Sequence, residues 1–365
     1  MSGHAARGSR DVSGAEAAND EIQFERRGAL GLVTLDRPKA LNALSLGMIG
    51  ALHAQLDAWA SDAGIIRVAI RGAGGRAFCA GGDIRHIHAC GQAGRFDEVF
   101  AFWQAEYRLV ARMQRYEKPI VALIEGVVMG GGVGISLHGA HRVASETYVF
   151  AMPEVGIGLF PDVGMTYALP RLPGRVGTYL ALTGSRVGPG DALALGLATA
   201  YAPARDFAAI LDRLAQGGPI AAALETGAAR PPTGPLVAER GLINDAFAAD
   251  DVADILRRLD GAAASGSTFA AETAAVMRTR CPTSLCIARE QMRRGLNLDF
   301  ADAVLTEYRL VTRLMRGHDF FEGVRAVLID KDGRPDWRPA TLEAVDHAAV
   351  AAAFGPSEAP EPRFA

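Results

Sequence analysis

Apolar positions recur along this chain at two periods, and the changes of period mark its elements. Between Ile22 and Asp36 the pattern predicts two short strands joined at Arg27-Gly28. Alternation runs through Leu30, Leu32 and Thr34, and Arg37-Pro38 ends the run. Met48, Ile49, Leu52, Leu56 and Trp59 then fall at helical spacing, with Ser45 standing where an N-cap belongs. Residues 65–71 form a compact apolar run entering Gly72-Ala73-Gly74-Gly75, which reads as a buried strand leading into a loop. The arrangement returns at residues 120–124, followed by Gly126 and Gly130-Gly131-Gly132, and a third apolar strand is predicted over residues 148–151. Strand, loop and helix in repetition predict an α/β core.

From 217 to 234 the chain turns rich in Gly, Ala and Pro, and a boundary is expected there. Beyond it the spacing is helical. Val252, Ile255, Leu256 and Leu259 make one stripe, and Val304, Tyr308, Val311 and Met315 another. The last helical segment is expected to stop near Lys331-Asp332-Gly333. The predicted organisation is a disordered tail over 1–20, a core over 21–216, a linker over 217–237, a helical C-terminal region over 238–345 and a second tail over 346–365.

Composition narrows the class. A chain of 365 residues with 49% hydrophobic content can bury one large core or two modest ones, and 22% charged residues fit a globular chain. A formal net charge of −3 gives no basic excess to draw nucleic acid or an anionic membrane. Four cysteines with no CxxC pair are too irregular for a disulfide framework, so a reducing compartment is expected. His86 and His88 form a loose HxH, read here as solvated side chains, and no metal is expected. The first twenty residues lack the apolar run of a signal peptide, and other apolar stretches are broken short of a membrane span. A soluble, cytoplasmic protein is the expectation.

The candidate chemistry lies in two glycine clusters and two carboxylates. Phe78-Cys79-Ala80-Gly81-Gly82-Asp83-Ile84 follows one strand, and Met129-Gly130-Gly131-Gly132-Val133-Gly134 follows another. Glycine lets a ligand approach the backbone and leaves N–H groups unobstructed, and two such N–H groups converging on one oxygen make an oxyanion hole. A tight turn is the alternative reading of each cluster. No GxGxxG and no GxxxxGK[ST] is present, and the run Gly134-Ile135-Ser136-Leu137-His138 ends in His where a nucleophile elbow needs Gly. Glu154 in Met152-Pro153-Glu154 and Asp162 in Phe160-Pro161-Asp162-Val163-Gly164 are flanked by apolar residues and prolines. Burial would raise their pKa toward neutrality and suit them to proton transfer, whereas a helix cap or an ion pair is the structural alternative.

The order of these elements is that of a known family. FCAGGDI, MGGGVG and MPE, preceded by LDRPKALNALS and closed by FFEGVRAVLIDKDGRPDW, resemble the crotonase (enoyl-CoA hydratase/isomerase) superfamily over about residues 21 to 345. The resemblance implies a spiral of stacked ββα units with a helical C-terminal region. It also implies acyl-CoA substrates whose thioester oxygen lies between the N–H groups of Gly82 and Gly131. The loop of Lys39, Ala40 and Leu41 would line the CoA site. Hydratases of this pattern carry a second glutamate in the helix after the glycine run, and that position here is Gly134. MGGGVGIS, FAMPEVGIGLFPDVG, LPRL, CPTSL, EYRL and MRGHDFFEGVRAVLIDKD are similar to the 3-hydroxyisobutyryl-CoA hydrolase branch, with Met165-Thr166 departing from its usual glycines. That branch implies substrate contacts by Glu106, Gly131, Glu154 and Asp162, with Glu154 and Asp162 catalytic. The expected reaction is hydrolysis of a short 3-hydroxyacyl-CoA without metal or redox cofactor, in valine catabolism. An enoyl-CoA hydratase or isomerase is the nearest alternative, and a non-catalytic acyl-CoA-binding protein is a further one. A homo-oligomer is compatible with the family.

Overall fold

The computed structural model describes residues 20–356 and 361–364, so the tail expected over residues 1–20 lies, but for its last residue, outside the described residues. Among the described residues nine strands follow in chain order: β1 (Ile22–Arg27), β2 (Leu30–Leu35), β3 (Arg67–Gly72), β4 (Ala77–Cys79), β5 (Ile120–Ile124), β6 (Val127–Met129), β7 (His141–Ala144), β8 (Val149–Ala151) and β9 (Ala200–Tyr201). They form a six-stranded sheet in the order β1-β2-β3-β5-β7-β9 and a three-stranded sheet in the order β4-β6-β8. Only β1 and β2 pair antiparallel; every other ladder is parallel. Three successive strand pairs, β3/β4, β5/β6 and β7/β8, each give one strand to the large sheet and the next to the small one. That winding is the spiral the resemblance implies, and the chain is α/β.

The alternation in β2 is real, yet both of its faces are buried. Leu30 and Leu32 pack with Phe207, Ile210, Leu211 and Leu214, while Val33 and Leu35 join the main core with Leu52 and Leu56. A parallel sheet covered on both sides imposes this. Ser45 caps the helix Leu46–Ser61 by accepting the Met48 N–H, and the predicted stripe Met48, Ile49, Leu52, Leu56 and Trp59 is buried.

The Gly/Ala/Pro-rich stretch is tied down. It contains the short helix Ile220–Leu224, whose Ala223 and Leu224 are buried, and Arg67 donates to the carbonyls of Gly217 and Gly218. The C-terminal helices share the main core with the spiral, since Val252, Leu256, Val304 and Val311 belong to the cluster that holds Leu52 and Val133.

The expected second tail over 346–365 needs correction for its described residues. Helix His347–Ala353, capped by Asp346, lies beyond the point where the last helical segment was expected to end. Phe364 is 4% exposed, with its ring centroid 6.3 Å from that of Tyr107 and 5.9 Å from that of Tyr308. Arg115 donates to the Phe364 carbonyl. The Pro/Ala-rich composition read as a tail conceals two aromatic anchors, Phe354 and Phe364, both buried in the main core. Among the described residues no helix is long and apolar enough to cross a membrane.

Candidate active site

The small sheet builds the site. Its three strands run parallel and side by side, Ala77 opposite Val127 and Val127 opposite Val149, so their carboxyl ends open along one edge. Ligands of parallel sheets gather at such ends. From β4 the chain passes Ala80 and Gly81 to Gly82. From β6 it passes Gly130 to Gly131, the first residue of the helix Gly131–Leu137. From β8 it passes Met152 and Pro153 to Glu154, the first residue of a 3-10 turn. Gly81 and Gly130 have φ of 116° and 46°, a region side chains rarely enter, which is the backbone reason for glycine just before each amide.

Those amides are neighbours. A Cβ built on Gly131 would lie 3.3 Å from the Gly82 nitrogen. Among the described residues neither N–H finds a protein acceptor. Both residues line one cavity of about 340 Å³, together with Glu106, Glu154 and Asp162. Ile84, Trp103, Met129, Ile157 and Leu159 supply much of its apolar wall.

The three carboxyl groups are buried at 1% (Glu106), 6% (Glu154) and 3% (Asp162) exposure. Glu106 comes from the long helix Phe96–Gln114, Glu154 from the turn after β8, and Asp162 from the loop before Met165–Ala168. No Lys, Arg or His forms an ion pair with any of them among the described residues. Burial therefore raises the Glu106 and Glu154 pKa well above the ordinary value, and the nearby Asp162 charge adds to the rise in each. Asp162 is pushed up to about 7 by burial, against the pull of the Tyr107 hydroxyl, which donates to its Oδ2 at 2.8 Å. Glu106 Oε1, Glu154 Oε2 and the Trp103 indole N–H are buried without a hydrogen-bond partner. Orphaned polar atoms around a cavity mark positions that a ligand or water fills.

All five expected residues around the acyl group thus meet in one cavity. Lys39, Ala40 and Leu41 do not form its wall. They lie on an exposed turn, Pro38–Ala40 with Leu41 at φ 52°, beside the exit of β4, where the Ala80 N–H donates to the Leu41 carbonyl. Gly134 faces Val163 and Val110, and a Cβ there would lie 2.8 and 2.9 Å from them. A side chain at 134 would press on both valines, and the second glutamate lining the cavity is Glu106, from the long helix. Ser136 is buried and donates to the Gly132 carbonyl, so it belongs to the core.

His86 and His88 point apart, as i and i+2 on a helix must. His88 packs on Phe321, while His86, Cys90 and Glu98 bring ligand atoms within 4.8 Å of one another. Arg95 holds both Glu98 oxygens at 2.9 Å, placing a cation beside that trio.

With this geometry in view, the sequence pattern of the enoyl-CoA hydratase/isomerase family matches residues 30–354. The chain belongs to that family. Within it, the chain is similar to the mitochondrial 3-hydroxyisobutyryl-CoA hydrolase of Danio rerio, at 42% identity over 92% of this chain and 90% of that protein. The human protein of that name is 44% identical over 90% of this chain and 86% of its own. Among solved structures, a carnitinyl-CoA dehydratase from Mycobacterium thermoresistibile superposes with a TM-score of 0.89 at 41% identity, covering 95% of this chain and 99% of that one. An enoyl-CoA hydratase from Rhodobacter sphaeroides 2.4.1 gives 0.86 at 39% identity, covering 92% and 97%.

Sequence reasoning passed over three groups that hold Asp162 and its turn: Tyr107, Glu307 and Gln291. A signal for two of them was in the chain, because Glu-Tyr-Arg-Leu-Val occurs at both 106–110 and 307–311.

Proposed function

We propose that this chain hydrolyses a short 3-hydroxyacyl-CoA thioester, 3-hydroxyisobutyryl-CoA first among them, to the free hydroxy acid and CoA. The observation that carries the reading is the cavity in which two unpaired backbone N–H groups face three buried carboxyl groups, of which Glu106 and Glu154 each keep one oxygen without a partner. The relatives at 42% and 44% identity bear the name of that activity. The thioester oxygen takes the place between the Gly82 and Gly131 N–H groups, where developing negative charge meets fixed donors in a cavity with a largely apolar wall. Glu154, once deprotonated, either takes a proton from the attacking water or attacks the carbonyl itself to form a mixed anhydride that water then opens. Both routes consume one water and release one thiol. Label from heavy-oxygen water found in Glu154 after a single turnover establishes the anhydride route, with water opening the anhydride at the Glu154 carboxyl carbon. Asp162 accepts the 3-hydroxyl of the acyl group, and Glu106 orients it. No step calls for a redox cofactor or a metal.

The solved relatives titled hydratase and dehydratase raise water addition as a second reading. Position 134 speaks against it, because glycine stands where the hydratase pattern has its second glutamate, and Glu106 enters the cavity from a different helix. Thiol release across short acyl-CoAs, with absorbance of the enoyl thioester followed in parallel, decides between the two. Glu154→Gln keeps volume and removes the ionisable group. It is expected to cost about 10² to 10⁴ in kcat while CoA-ester binding persists. Near-normal thiol release by this variant would overturn the role of Glu154.

A further inference from the structure

The repeated Glu-Tyr-Arg-Leu-Val lies on two helices that pack on each other, Phe96–Gln114 and Phe300–Leu314. Each repeat buries its glutamate completely or nearly so. Glu106 lines the cavity. Glu307 lies behind it, under the turn that presents Asp162. Its Oε2 accepts the Gly164 N–H at 2.8 Å, and its Oε1 accepts the Thr166 N–H at 2.8 Å. Between Asp162 and those amides the chain makes a strained bend, with Val163 at φ 55° and Gly164 at φ 88°. A β-branched residue in the left-handed region persists only where its surroundings impose it. Gln291 donates to the Pro161 carbonyl at 2.5 Å, and His138 donates to the Val163 carbonyl at 2.8 Å, so the bend is gripped from three sides.

We propose that Glu307 is a positioning residue for thioester hydrolysis: it clamps the turn over residues 161–166 so that the Asp162 carboxyl faces the acyl site, and it acts on turnover only through Asp162. The inference rests on the hydrolase reading above. A carboxylate suits the task because both of its oxygens accept and neither donates. Two N–H groups on one turn need such an end. An amide in its place would set its own N–H against one of them, leaving a buried backbone donor unpaired.

Burial pushes Glu307 up from the usual carboxylate range, with the neighbouring Asp162 charge next in weight, and the Gly164 and Thr166 donors oppose the rise by favouring the ionised form, whose two oxygens both accept. The titratable groups around Asp162 are Glu106 and Tyr107 from the long helix, Glu154 from the turn after β8 and Glu307 from behind. His138 stands at the end of the helix Gly131–Leu137, bonded to the next residue's carbonyl.

The test is a double-variant cycle with a second readout that does not depend on turnover. Glu307→Gln is expected to lower kcat/KM about tenfold to a hundredfold, the scale of a catalytic group misplaced by about 1 Å. In an Asp162→Asn background the same change should cost less than about threefold, because its route of action is already gone. Infrared difference titration of wild type against Asp162→Asn isolates the Asp162 carboxyl. In Glu307→Asp, which keeps the charge beside Asp162 but cannot reach both amides, that titration should move to lower pH, since a loosened turn admits water. Losses that multiply in the double variant, or an Asp162 titration that stays in place, overturn the proposal. If the wild type releases no thiol from any acyl-CoA, the hydrolase reading fails by itself, and the infrared arm still decides whether Glu307 positions Asp162. Should Glu307→Gln fail to fold, Glu307→Asp carries the same measurements. It keeps the acid but is one methylene too short to reach both amides.

Discussion

Gly131→Ala is the substitution with the sharpest expected consequence. The backbone at 131 is ordinary helix, so alanine costs no conformational strain, unlike at Gly81 or Gly130 where φ is positive. The added methyl instead enters the site. It would press on Glu106 Oε1 and stand 3.3 Å from both the Gly82 nitrogen and Leu44 Cδ1. Glu106 is the far end of a flexible side chain and can swing away. The Gly82 amide is backbone and cannot. The methyl therefore occupies part of the space between two N–H donors that the thioester oxygen needs. Losing one oxyanion donor costs about 2.7–4 kcal/mol of transition-state stabilisation, or about 10² to 10³ in kcat. Ground-state affinity for the CoA portion should change far less, since Lys39, Ala40 and Leu41, the residues expected to meet it, do not line this cavity. The assay is continuous thiol release from 3-hydroxyisobutyryl-CoA, with Tm measured on the same preparation. A folded Gly131→Ala enzyme with kcat within about threefold of wild type would refute the assignment of the Gly131 N–H to the oxyanion hole.

Two further outcomes follow from the buried acids. Asp162→Ala should reduce hydrolysis of the 3-hydroxyacyl ester at least about tenfold more than that of plain isobutyryl-CoA, because a lost hydrogen bond to a carboxylate matters only to the substrate that makes it. Equal losses on the two esters would place Asp162 in the bond-breaking chemistry itself. The fold should also weaken as pH rises. Burial pushes Asp162 up to about 7 from an ordinary value of 3.8, so the native state holds a proton that the unfolded chain releases. The stability it contributes is complete below about pH 4 and is lost as pH climbs through the folded value, at about 1.4 kcal/mol per pH unit while it lasts. Urea denaturation at a series of pH values measures the slope, and Asp162→Asn should flatten it. A stability that rises from about pH 5 to pH 8 would contradict the assignment.

What the chain alone determined was its local structure and the order of its motifs. The 3.6-residue stripe from Met48 to Trp59, with Ser45 ahead of it, specifies a capped helix from nearest-neighbour physics. Glycine at 81 and 130 announced backbone that only glycine adopts readily, next to amides that must stay free. Proline and apolar neighbours around Glu154 and Asp162 announced burial. Those signals are local, and they were legible for that reason.

Tertiary structure decided everything that depends on which distant segments meet. Gly82, Gly131 and Glu154 come together because β4, β6 and β8 lie in one parallel register, a fact of the spiral winding that no window of sequence contains. The Glu307 clamp under Gly164 spans 143 positions of chain. In composition, the described part of the final segment read as a tail, yet Phe364 sits between the two repeat tyrosines, Tyr107 and Tyr308. Burial of a single aromatic ring in a core assembled from remote helices outweighs the polar, proline-rich character of its neighbours, and only the assembled core reveals that its place exists.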